Sequence, residues 1–167
     1  MISRRRSRIS DGGQNMKKSF WLSILAYLLP TFPLGYAWHL LTFKGAYDRL
    51  ELYRAEVIIP FGLASMLVQA VIFAWAYPKL VSTRREDWLS SALRFGGVFA
   101  LLAWSFTTLP VAAKYQMSSV ADFLKLETGF TILQFAIISP LIALAQRDAR
   151  DQSTAANRAL GEKPRAT

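Results

Sequence analysis

The 22 residues VIIPFGLASMLVQAVIFAWAYP (57–78) carry no formal charge and lie between Glu56 and Lys79. At 1.5 Å rise per helical residue, about 20 residues cross a hydrocarbon core of about 30 Å. The run lacks the period-two alternation of a barrel strand, and backbone groups placed in lipid must be satisfied within their own segment. It therefore reads as a transmembrane helix. Three more uncharged runs meet the same test: Ser19 to Phe43 with 25 residues, Phe95 to Ala113 with 19, and Thr128 to Gln146 with 19. The predicted fold is all-α, a polytopic membrane protein of four transmembrane helices in an up-down bundle. Its spans cover about 19–43, 57–78, 93–113 and 126–146.

The composition agrees. Of 167 residues, 53% are hydrophobic and 19% charged, below the roughly 25% charge of an ordinary soluble domain. The charges are also segregated by side. The N-terminal tail, the second loop and the C-terminal tail hold 15 of the 20 Lys and Arg, whereas the first and third loops hold 5. Acidic residues divide almost evenly, so one side carries the whole net charge of +9. Basic loops stay in the cytoplasm, which predicts both termini inside and a multi-pass protein of the inner membrane. Residues 1–18 and 147–167 read as polar tails, basic at the N-terminus and disordered, able to meet anionic lipid headgroups. Aromatic interleaving is absent from the basic tail, which argues against nucleic acid as a partner. Lys17-Lys18 followed by apolar residues resembles a signal peptide, but apolar character continues through Phe43, beyond a typical h-region. Met16 reads as an alternative start.

Two connections carry helical patterns of their own. Tyr47, Leu50, Tyr53 and Val57 recur at helical spacing, which predicts that the second helix begins outside the membrane near Asp48, with Asp48-x-x-Glu51 as its cap. Ser119-x-x-Asp122 predicts a similar start for the fourth helix. An offset of 71 residues superposes the two starts, as a duplicated hairpin would. Pro30, Pro33 and Pro140 lie inside spans and predict bends.

Polar side chains inside the spans are the candidate site. Ser65 and Gln69 share a face of the second helix with Gly62. Glu127, Thr131 and Gln134 share a face of the fourth, and Trp104 and Thr108 share one of the third. An amide at mid-span has no partner in lipid and must find one within the bundle. The ordinary reading is helix packing, with Ala92, Gly96 and Ala100 as one small-residue ridge and Gly129, Ala136 and Ala143 as another. The sharper reading is a polar cavity between the second, third and fourth helices with Glu127 at its mouth, since an ionisable residue in a span is a functional candidate. His39, beside Trp38, reads as an interfacial residue.

Zero Cys excludes disulfides and thiolate chemistry, and one His excludes a bis-His haem or His-rich metal site within the chain. No catalytic motif, metal set or cofactor signature is present in the sequence. As a whole the chain resembles the small four-span bacterial inner-membrane proteins gathered in domain-of-unknown-function families. The likeness is carried by span count, length and the segments VIIPFGLASM (57–66) and SFTTLPVAAK (105–114), over about residues 19–146. It implies a multi-pass architecture and brings no catalytic residues. The first expected function is a non-enzymatic structural protein packing with itself or within a membrane complex. The alternative is a small transporter or a binder of a small molecule or lipid.

Overall fold

The computed structural model describes residues 3–54 and 56–147, with side chains from residue 17 onward. Five α-helices are formed: α1 (Ser3–Tyr36), α2 (Lys44–Leu50), α3 (Ile59–Leu80), α4 (Trp88–Lys114) and α5 (Val120–Gln146). A six-residue π-helix (Ala37–Thr42) continues α1, and a short 3-10 turn (Arg85–Asp87) leads into α4. Four segments are long and apolar enough to cross a membrane: Lys17–Thr42, Ile59–Leu80, Arg85–Lys114 and Val120–Gln146. They match the four predicted spans to within a few residues, except that the third and fourth begin earlier.

Two expectations are corrected. Residues 3–18 are helical rather than irregular. Helix nucleation is the costly step, and a segment joined to a long apolar helix extends an existing nucleus, so Gly12 and Gly13 weaken this stretch without ending it. Secondly, the helix expected to run from Asp48 into the membrane is broken. Asp48 lies in the last turn of α2, and Glu51 ends that helix in the left-handed conformation, at φ 57°. The chain resumes only at Ile59, with Pro60 in the first turn of α3. Proline there is the physical reason. Its ring would clash with the carbonyl four residues back, whereas a first-turn position costs no hydrogen bond. Asp48 thus closes a helix where Ser119 opens one, and the 71-residue superposition fails. The C-terminal tail from 148 lies outside the described residues.

The predicted cap at Ser119 is present, its Oγ accepting from the Asp122 backbone N–H at 3.2 Å. Replacing Ser119 by alanine is expected to remove about 1 kcal/mol of stability, read as a lower melting temperature in detergent. Two apolar clusters hold the helices. The larger joins Tyr27, Phe73, Phe95, Phe135, Ile138 and Ile142, with alanines of α3 and α4 between them. The smaller ties Tyr47 and Leu50 of α2 to Phe123 of α5. Ser118 adds a hydrogen bond from its Oγ to the Arg49 carbonyl at 2.6 Å and one from its N–H to Leu50, which engages the free carbonyls at the end of α2. The connections 43–58 and 115–119 therefore meet at one end of the molecule, here termed the loop end.

The placement of α3 creates the site. Its buried residues, Ala70, Phe73, Ala74, Ala76 and Tyr77, all lie in its second half. There Gln146 of α5 donates to the Ala74 carbonyl at 3.0 Å. The first half, Ile59 to Leu67, makes almost no buried contact. So α3 leans on α1 away from the loop end and stands clear of the other helices toward it.

Candidate functional site

The gap left by α3 is a cavity of about 570 Å³ bordered by α1, α3, α5 and the α2–α3 connection. Five of the seven side chains singled out in the sequence line it: Ser65, Gln69, Glu127, Thr131 and Gln134. Trp104 and Thr108 do not. Trp104 instead donates from Nε1 to Thr128 Oγ1 at 2.9 Å, and Thr108 is buried away from the cavity. The third wall is α1, which contributes Tyr27, Thr31 and His39, while α4 supplies only Ala103 and Thr107.

Tyr27 organises the floor. It is fully buried, and its hydroxyl donates to Gln69 Oε1 while accepting from Gln134 Nε2 at 3.4 Å. Gln69 Nε2 donates in turn to Ser65 Oγ at 3.1 Å. One phenol thus joins the mid-span amides of α3 and α5 through α1, which gives each amide the partner that lipid withholds.

The mouth is built around Glu127. Tyr47, fully buried on α2, donates from its hydroxyl to Glu127 Oε1 at 2.7 Å. Burial, and then the adjacent carboxylate charge, pushes the Tyr47 phenol well above its ordinary range. It is therefore a standing O–H donor. Tyr53 stacks on Tyr47, their centroids 4.8 Å apart and their rings within 8° of parallel. His39 Nε2 lies 3.5 Å from the same Glu127 oxygen, and Phe130 meets the imidazole edge-to-face.

The local backbone explains why His39 points inward. Pro30 and Pro33 withdraw the donors for the carbonyls of Ala26 and Leu29, and the helix then widens into the π-helix that carries His39. Phe43 N–H reaches the Trp38 carbonyl, five residues back, at 3.0 Å. The altered register turns His39 toward α5, and its Nδ1 bonds the Gly35 carbonyl at 2.9 Å. A carbonyl only accepts, so Nδ1 carries a proton and Nε2 is the nitrogen that faces Glu127.

Among the described residues no group of three His, Asp or Glu converges as a metal site. The arrangement offers hydrogen-bond donors and acceptors, a carboxyl group and aromatic faces, set in an otherwise apolar wall. Comparison with known proteins finds no matching family model, curated protein or solved structure.

Proposed function

We propose that this chain is a multi-pass protein of a bacterial inner membrane, both termini cytoplasmic, that binds or carries a small amphiphilic molecule in the cavity between α1, α3 and α5. Membrane residence is supported by the four apolar helices and by the large side chains they leave uncovered, such as Leu101, Phe106 and Ile132. Contiguous apolar surface of that extent suits hydrocarbon rather than water. Orientation is supported by the +9 charge carried on the side of the termini. On that reading the loop end faces outward, and the basic segments meet anionic headgroups.

The observation that carries binding over a purely structural role is the cavity itself. Its volume lies within the range of small-molecule sites, its wall is mainly apolar, and its polar groups converge from three helices. Close packing would have filled it. No oxyanion hole or metal set accompanies Glu127 and His39 among the described residues, so a binder or transporter is favoured over an enzyme.

Gly62 lines the cavity, and a Cβ placed there would meet nothing within 4 Å. Gly62→Trp should therefore occupy the ligand space without disturbing either core. Gly97 also has open space around it but lies on α4 away from the cavity. Titrating benzyl alcohol calorimetrically into protein in nanodiscs, against empty nanodiscs, should show binding to the wild type and to Gly97→Trp. Gly62→Trp should bind at least tenfold more weakly. Equal heats from all three proteins would reject the cavity as a ligand site.

A further inference from the structure

We infer that the mouth of the cavity is a site for an organic cation, the charged nitrogen seated at the free oxygen of Glu127. The inference rests on the binding reading above and adds the charge class of the ligand. Two observations carry it.

The first is the occupancy of Glu127. Tyr47 and His39 both address Oε1, and among the described residues no partner reaches Oε2. A carboxylate with one oxygen held and the other free is a ready acceptor for an N–H or an alkylammonium. The second is the ring lining. Tyr53, His39 and Phe130 line the same mouth, and aromatic faces attract a cation, the more so away from water.

Tyr47 is held as an O–H donor by burial and by Glu127. Arg54, exposed at the rim, is a fixed positive charge. Arg54 favours anions, so charge preference is the deciding measurement.

The test uses the full-length protein in nanodiscs with benzyltrimethylammonium, benzyl alcohol and benzenesulfonate, which share a ring and differ in charge. The cation should bind at least tenfold more tightly than the alcohol. Glu127→Gln should bring the cation down to the affinity of the alcohol. The wild-type preference for cation over alcohol and sulfonate stands alone should that variant fail to fold. Tighter binding of benzenesulfonate, or equal binding of alcohol and cation, would each overturn the cation site while leaving the cavity a ligand site. Loss of all three ligands, with no response to Gly62→Trp, would instead remove the binding reading itself.

Discussion

Replacing Gly96 by alanine is expected to destabilise the protein by about 1–3 kcal/mol, the usual range for overpacking a filled interior. A Cβ at Gly96 would stand 2.4 Å from Ser139 Oγ and 2.9 Å from Ser139 Cβ. The hydroxyl could rotate away, but the Ser139 Cβ is fixed to the α5 backbone, so the two helices themselves would have to separate. They share the most extensive contact of any two helices among the described residues, with Ala92, Phe95, Phe135 and Ile138 buried around this crossing. Opening it would loosen contacts along the pair as well as the one that clashes. In a membrane such close approach supplies van der Waals contact where no hydrophobic driving force acts between helices. The result should appear as a lower midpoint in denaturant titration of the detergent-solubilised protein. Gly97→Ala, one residue along and facing open space, should leave the midpoint unchanged or raise it by up to about 1 kcal/mol, since alanine is the better helix former. The decisive arm is Gly96→Ala combined with Ser139→Gly, which removes both obstructing atoms and should recover most of the loss. A double variant no better than Gly96→Ala would mean that another contact, rather than this crossing, sets the cost.

That crossing also shows how far the sequence could be read. Uncharged runs fixed the number and approximate bounds of the long helices, because length and hydropathy are properties of each segment alone. Ser119 was legible for the same reason, since a cap is a local bond. Gly96 lies on a small-residue ridge as expected, but nothing in the sequence says what it meets: Ser139 faces Gly96, and Gly129 of the other ridge faces Trp38. Helical spacing shows which residues share a face, not which neighbouring helix that face will meet. The same limit explains Trp104 and Thr108, placed together on α4 as expected yet turned away from the cavity. It also explains why Tyr27 went unnoticed, because a phenol in an apolar run reads as bulk until two amides are brought beside it. His39 was hidden by a different cause. Its inward direction follows from the change to π register after two prolines, and a period of 3.6 residues carries no trace of that change. The early end of the second helix, by contrast, had a visible signal in Pro60, outweighed by the periodicity of Tyr47, Leu50 and Tyr53.

Removing one oxygen from Tyr27 should be felt across three helices. Tyr27→Phe keeps the ring that packs edge-on against Phe73 at 5.2 Å and deletes only the hydroxyl. The Gln69 carbonyl then loses its donor and the Gln134 amide loses its acceptor. Interhelical hydrogen bonds in membranes are worth about 0.6 kcal/mol each on average, so two lost bonds alone amount to about 1 kcal/mol. Stranding the amides raises the expected loss to about 1–3 kcal/mol, because a polar group without a partner in an apolar interior keeps its full desolvation penalty. Direction therefore separates two accounts of the network. If unsatisfied amides dominate, Tyr27→Phe combined with Gln69→Leu and Gln134→Leu should be more stable than Tyr27→Phe alone, since neither amide is left behind and the Ser65 hydroxyl that loses Gln69 is exposed. If the bonds contribute only their average cohesion, the triple variant should be no more stable than the single one. The cavity adds an independent reading of the same proteins. Tyr27, Gln69 and Gln134 form its floor, so the triple variant should stay folded yet bind benzyl alcohol more weakly, by about threefold to tenfold, the equivalent of one or two lost hydrogen bonds. A triple variant that regained stability and bound the alcohol as well as the wild type would leave the network a purely structural junction.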